Sequence, residues 1–272
     1  MTTREINNKP YAVGEYLRKL KTYAFLIASL SRREFQIKYN RAILGIGWLL
    51  IQPLVSVVIY SLFFNYLVKI DTGNIPYIQF VFSGLVLWYI FTGIFSKGST
   101  ALLETRELIE KIAFPKIIIL IAKVVPVIIE GLVLFVVLIA IVIYHQKGVG
   151  IYLFTSIFYL LQVIIFSFSL AILFSILIVR VRDFLHILPF IINFGIWLTP
   201  VFYPVSLVPA EYQNYVRYAN PIAHAIEGFR NALFASKGIS MESFIIFLFS
   251  LILLFFSFVF FIKFEKQIVE RL

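Results

Sequence analysis

The chain has 272 residues, of which 61% are hydrophobic, 18% aromatic and only 14% charged, with a mean hydropathy of +0.95. Soluble domains are about half apolar and a quarter charged, so this composition excludes a water-soluble globule and calls for lipid as solvent. The absence of cysteine excludes disulfides, Cys-ligated zinc and iron–sulfur clusters, and the net charge of +10 takes its meaning from where the cations lie.

The first forty residues are polar and charged, which argues against a cleavable signal peptide. Glu15 to Leu30 carries an amphipathic pattern, with Leu17, Leu20, Tyr23, Ala24, Ile27 and Leu30 on one arc and Glu15, Arg18, Lys19 and Lys21 on the other. Such a helix lies in the plane of a membrane interface. The stretch SRREFQIKYNRAILGIGWLLIQPL (Ser31 to Leu54) then packs five ionisable groups against an apolar tract. Its SRRE opening reads as a capping box, with Ser31 and Glu34 starting a second helix.

A span needs about 20 mainly apolar residues to cross a hydrocarbon core of about 30 Å. Six segments qualify: Ala42 to Val68, Ile75 to Ser96, Ile117 to Tyr144, Ile151 to Val179, Leu185 to Tyr203 and Ser243 to Ile262. The expected architecture is an all-α integral membrane protein, with residues 1–41 before the spans, 42–262 as the six-span domain and 263–272 as a tail. Eighteen of the 24 Lys and Arg fall on the side of the termini, five (Lys69, Lys147, Arg217, Arg230 and Lys237) on the other, and Lys123 within a span. Positive residues stay on the cytoplasmic side, so both termini are expected there. The basic balance is thus explained by topology and anionic lipid contact, not by nucleic acid.

The loop after the second span, STALLETRELIEKIAFPK (Ser99 to Lys116), sets Ala101, Leu102, Thr105, Leu108, Ile109 and Ile112 on one helical arc. Glu104, Arg106, Glu107, Glu110 and Lys111 fall opposite, with Glu107 and Lys111 at i,i+4 spacing, and Pro115 ends the helix. A short amphipathic helix here suits a cytoplasmic partner or the flank of its own bundle. Between the fifth and sixth spans about 40 residues intervene, long for a mere link. They hold two helical patterns: Pro209 to Tyr218, and one opened by Asn220-Pro221 as N-cap and first position. The second carries the stripe Ile222, Ile226, Phe229 and Leu233, with Gly238 as its stop. Neither is long enough to span, and together they suit a re-entrant or surface hairpin.

No catalytic constellation emerges. His224 and Glu227 stand one turn apart without a third ligand, and no phosphate-binding GxxxxGK[ST] occurs, so no cofactor is expected on this chain and any ATP and Mg belong to another subunit. The intramembrane charges are Lys123, near enough to an end to snorkel, and Glu130, deeper, either an interhelix hydrogen-bonding group or a lumen acid. In the first span Gly45, Trp48, Gln52, Ser56, Tyr60 and Phe63 follow one line, and in the fifth Pro189, Asn193, Trp197 and Pro200 do the same. Such stripes suit helix packing, an interfacial aromatic belt, or a lumen with stacking faces for a sugar chain.

REFQIKYNRAILGIGWLLIQPL, LIEKIAFPK and NPIAHAIEGFRNALF, in this order and at these topological places, resemble the membrane subunit of type-2 ABC exporters, and within them the polysaccharide-export branch. The resemblance implies a homodimer with two copies of a separate ABC ATPase in a bacterial inner membrane, moving a polyprenyl-pyrophosphate-linked glycan of O-antigen, teichoic acid or capsule type. It implies a coupling helix on Ser99 to Ala113, with Glu104, Arg106, Glu107, Leu108 and Lys111 as the ATPase contact. It implies gate helices on residues 209–237, with Tyr212, Tyr215 and Phe229 as gate residues. The channel would be lined by Trp48, Gln52, Ser56, Tyr60, Phe63, Asn193 and Trp197. Under the same expectation Arg32, Arg33, Lys38 and Arg41 hold the lipid pyrophosphate, since guanidinium donors match phosphate oxygens. A permease of the same type for a drug, lipid or small solute is the nearest alternative. A lipid-modifying enzyme would need convergent acids, His or metal ligands, and a passive channel would need no ATPase.

Overall fold

A computed structural model describes residues 13–40, 42–146, 150 and 152–271, with backbone alone for Val13, Glu15, Leu17, Lys19, Gln146, Lys266 and Val269. Arg41 and Lys147, named above, lie outside the described residues. The described chain is helical: α1 (Val13–Thr22), α2 (Ala24–Tyr39), α3 (Trp48–Ser61), α4 (Tyr77–Glu104), α5 (Arg106–Lys111), α6 (Ile117–Gln146), α7 (Tyr152–Arg180), α8 (Phe184–Leu198), α9 (Ala210–Ala219), α10 (Pro221–Phe234) and α11 (Met241–Arg271).

Among the described residues five stretches are long and apolar enough to cross a bilayer: Gly45–Val68, Tyr77–Glu104, Ile117–His145, Tyr152–Arg180 and Met241–Glu265. The fifth expected span is shorter than the sequence suggested. α8 has 15 residues, about 22 Å at helical rise, because Thr199 leaves helical geometry and a tight turn follows, closed by Val201 N–H to the Thr199 carbonyl (2.6 Å). The first span is not uniform either. It opens with a 3₁₀ turn at Gly45–Gly47, carries Pro53 inside α3 and closes as a π-helix over Leu62–Val68. The proline removes a ladder hydrogen bond, and π segments are rare and frequent at functional sites.

α4 is the axis of the bundle. It packs on α6, α7, α3, α10 and α8, and 72% of its apolar window is buried, against 17% for the first span. Helices without a hydrophobic drive between them approach closely through small residues. A Cβ on Gly93 would overlap Val127 (2.5 Å), one on Gly98 would overlap Ala171 (2.7 Å), and one on Gly131 would overlap Ile90. Gly131→Leu is therefore expected to prise α6 from α4. Detergent-solubilised protein should lose its monodisperse peak in size-exclusion chromatography, whereas Gly238→Leu, with nothing within 4 Å, should not.

Two expectations near the N-terminus are corrected. The helix break falls at Tyr23, not at Ser31, and α2 runs unbroken from Ala24 to Tyr39. Ser31 does not cap: its hydroxyl donates to the Ile27 carbonyl four residues back (2.8 Å), a local bond that serine makes readily inside helices. The Ser99 to Ala113 helix is likewise two pieces. α4 continues to Glu104, and Thr105, whose hydroxyl donates to the Ala101 carbonyl (2.6 Å), forms a kink before α5. The i,i+4 pair on α5 is Arg106 to Glu110 (2.7 Å) instead of Glu107 to Lys111. α10 ends at Phe234, ahead of the expected Gly238 stop, and α11 absorbs the expected tail into one 31-residue helix.

The ends of the bundle are distinct. A cluster of Tyr16, Leu102, Ile109, Phe114, Ile117, Ile176 and Phe261 joins α1, α5, α7 and α11 at the end carrying most cations. This is the basic end. The Lys116 backbone N–H donates to Glu265 (2.5 Å), fastening the start of α6 to α11.

Candidate functional site

Two charged layers cross the interface of α2 with α6, one at the basic end and one deeper along the helices. In the first, Lys123 Nζ donates to Glu34 of α2 and Glu104 at the foot of α4, both at 2.9 Å. Glu104 also accepts from the Thr100 hydroxyl (2.6 Å). In the second, the Glu130 carboxylate accepts from Lys38 Nζ (2.8 and 2.7 Å), Tyr39 O–H (2.7 Å) and Tyr89 O–H (2.7 Å). Desolvation and the neighbouring Glu130 charge push the Tyr39 hydroxyl well above the usual phenol range, so it stays a donor. Lys123 is thus a bridge and not a snorkelling cation. Glu130 joins three helices, and the two charges, seven positions apart on one face of α6, do not meet.

The other residues expected around a headgroup or a partner lie nearby. Arg32 and Arg33 are exposed on α2, while Lys38 is half-exposed and occupied by Glu130. A cleft of about 550 Å³ is lined by Arg33, Glu34, Glu104, Arg106, Glu107, Leu108, Lys111 and Lys123 among others. Arg106, Glu107 and Lys111 are exposed and Leu108 is half-buried. Sequence spacing suggested the α5 surface but not that α2 would form the opposite wall of one cleft.

The aromatic face runs along α3 and α8. Trp48, Gln52, Phe63, Asn193 and Trp197 are exposed, and Ser56 and Tyr60 half-buried. Ser56 donates to the Gln52 carbonyl (3.0 Å). The two stripes meet around Phe202, a fully buried ring: Tyr60 lies 4.2 Å from it, Phe64 is stacked at 5.3 Å, and Trp197 stands at 5.6 Å. Tyr203 O–H to the Trp197 carbonyl (2.9 Å) closes the turn. Phe202 escaped the sequence reading because it lies on neither stripe; its signal is an aromatic pair bracketed by Pro200 and Pro204.

At the far end, Asn220 caps α10, its side chain accepting from Ile222 N–H (3.1 Å) and Ala223 N–H (3.2 Å). Arg230, buried, donates to the carbonyls of Pro200 (2.6 Å), Val201 (2.7 Å) and Phe80 (3.0 Å) and to Ser83 Oγ (3.2 Å), over the Phe80 ring at 3.5 Å. Gly84 leaves room for it: a Cβ there would lie 2.6 Å from Nη2. Tyr212 and Tyr215 are exposed on α9, but Phe229 is fully buried, 5.9 Å from Phe135. Phe229, named above as a gate residue, packs inside the bundle, as its place on the apolar stripe of α10 dictates. His224 shares a hydrogen bond with Ser243 (2.9 Å), and Glu227 pairs with Arg217 (3.0 Å). Among the described residues no group of His, Asp and Glu is arranged to hold a metal.

The family model described as ABC-2 type transporter matches residues 26–234, which contain both charged layers, the aromatic face and the Arg230 hub. The chain belongs to the ABC-2 type transporter family. It is a multi-pass membrane protein. This ABC-2 chain is similar to the O-antigen export system permease protein RfbA of Myxococcus xanthus, 28% identical over 72% of this chain and 74% of that one. An RfbA of Klebsiella pneumoniae is 23% identical over 75% and 78%, and the polysialic acid transport protein KpsM of Escherichia coli 21% identical over 79% and 85%.

Proposed function

We propose that this chain is the permease subunit of an ATP-driven exporter of a lipid-linked polysaccharide of O-antigen type. Two copies work with two copies of a separate ATPase in a bacterial inner membrane, the basic end facing the cytoplasm. The observation that carries the reading is likeness along most of the chain to permeases named for O-antigen and polysialic acid, all long glycans. The exposed rings of Trp48, Phe63 and Trp197 support it: flat apolar faces suit the C–H faces of sugars and rank no sequence of them above another. The exposed Arg32 and Arg33 support capture of a diphosphate headgroup, with Lys38 five residues further along α2 and Arg41 following in the chain. The cleft between α2 and α5 supports contact with the ATPase through Glu104, Arg106, Glu107, Leu108 and Lys111. The outer helices α9 and α10 suit a gate, with Tyr212 and Tyr215 on its surface.

Affinity purification of the tagged chain from cells that make its glycan tests this. An ABC ATPase and a polyprenyl-pyrophosphate sugar should be recovered together, the latter by mass spectrometry. Arg32→Gln/Arg33→Gln should cut the bound lipid-linked sugar at least tenfold while the ATPase is retained. Recovery of a small solute or drug pump activity without any glycan would overturn the reading.

A further inference from the structure

The second charged layer is lopsided. Its acid is fixed: Glu130 is 1% exposed and accepts from two neutral phenols, one on α2 and one on α4, besides the ammonium. Its cation is looser: the Lys38 side chain is 45% exposed, held by the carboxylate, a long contact to Tyr89 O–H (3.4 Å) and the Tyr39 ring 5.2 Å from Nζ. Both Glu130 oxygens sit on Nζ, in the manner of a phosphate's oxygens.

We infer that Glu130 is a specificity-determining competitor for Lys38, which a lipid-borne diphosphate can displace and a phosphodiester phospholipid cannot. The inference rests on the headgroup reading of Arg32, Arg33 and Lys38 given above. The physical ground is a difference of charge. A bilayer surface is crowded with phosphodiesters of single negative charge, no better for an ammonium than a carboxylate already in place at 2.7 Å. A diphosphate carries more charge and more acceptor oxygens, and its attraction to Arg32 and Arg33 adds to that for Lys38. Discrimination against an abundant wrong ligand is commonly built this way, by an element that the wrong ligand cannot outbid. After Lys38 leaves, Glu130 keeps the Tyr39 and Tyr89 bonds, so α2 and α4 stay tied to α6 while the ammonium swings out.

Binding of farnesyl diphosphate, dioctanoyl phosphatidylglycerol and inorganic diphosphate to the detergent-solubilised full chain tests this. Wild-type protein should prefer farnesyl diphosphate to phosphatidylglycerol at least tenfold. Glu130→Gln should narrow the preference to about threefold by gaining phosphatidylglycerol affinity, and Lys38→Gln in that background should remove the gain. A wild-type chain without the preference overturns the inference with no variant needed. So does an unchanged preference in Glu130→Gln, or a gain that survives loss of Lys38. Inorganic diphosphate binding as tightly as the farnesyl compound overturns the lipid-borne assignment. If Arg32→Gln/Arg33→Gln abolishes farnesyl diphosphate binding while Glu130→Gln leaves the preference intact, Glu130 loses its role and the headgroup site stands. If Arg32→Gln/Arg33→Gln changes neither binding nor export, the headgroup site itself falls.

Discussion

Replacing Arg230 by Met is expected to leave little folded protein. The guanidinium is buried among four acceptors on two separate pieces of chain: Phe80 and Ser83 of α4, and Pro200 and Val201 of the turn after α8. Met fills much of the volume but donates nothing. The Pro200 and Val201 carbonyls, outside regular helix, then lose their charged donors where water does not readily replace them. Each orphaned acceptor costs about 1–3 kcal/mol, and bonds to a charged group are the stronger kind. The sum is about 4 kcal/mol, a large share of a typical stability. Lys should rescue only in part, since one ammonium cannot reproduce a planar fork of donors. Gly84→Val should imitate the loss from the other side, because its side chain would enter the space of Nη2. Thermal unfolding in detergent checks the series, with the midpoint falling in the order wild type, Arg230→Lys, then Arg230→Met and Gly84→Val. A midpoint for Arg230→Met within a degree or two of wild type would remove the hub from the account.

That hub marks where sequence reasoning stops. The apolar runs could be read directly because every residue of a span contributes to one average, and five of the six expected spans are long apolar helices. The Asn220-Pro221 start of α10 was equally plain, since a cap and its helix are neighbours in sequence. Arg230 looked like one more cation on the sparse side, because its partners are about 30 and 150 residues away. Lys123 and Glu130 attracted notice as intramembrane charges, yet helical geometry could offer only each other as partners. Their true partners, Glu34 and Lys38, depend on how α2 crosses α6, which no periodicity encodes. The capping-box reading of Ser31 failed for the same reason: a distant lysine holds Glu34, and the serine turns to its own helix. The shortened α8 belongs here too, because composition continues apolar through Val201 and Phe202 while the backbone turns.

Lys123→Met is expected to disconnect the two walls of the basic cleft. Its ammonium links Glu34 of α2 to Glu104, which stands immediately before the Thr105 kink. Removal leaves two carboxylates within about 6 Å of each other; unit charges at 5 Å repel by about 3 kcal/mol at an effective dielectric of 20, less where water reaches Glu104. The foot of α4 and α2 should therefore part, without the collapse expected of Arg230→Met, since the apolar contacts of α4 with α6 and α7 remain. Hydrogen exchange should quicken at least tenfold in α2 and across residues 99–113, and stay unchanged in α10. In the assembled transporter, ATP hydrolysis should persist while glycan exported per ATP falls at least tenfold, because under the proposed coupling role of α5 its movement no longer reaches α2. Glu104→Gln placed in the Lys123→Met chain should slow exchange again by removing the repulsion, but should not restore export, because the bridge is still missing. Restored export there would reduce Lys123 to a neutraliser of charge; continued failure makes it the mechanical tie between the proposed ATPase face and the helix that carries Arg32 and Arg33.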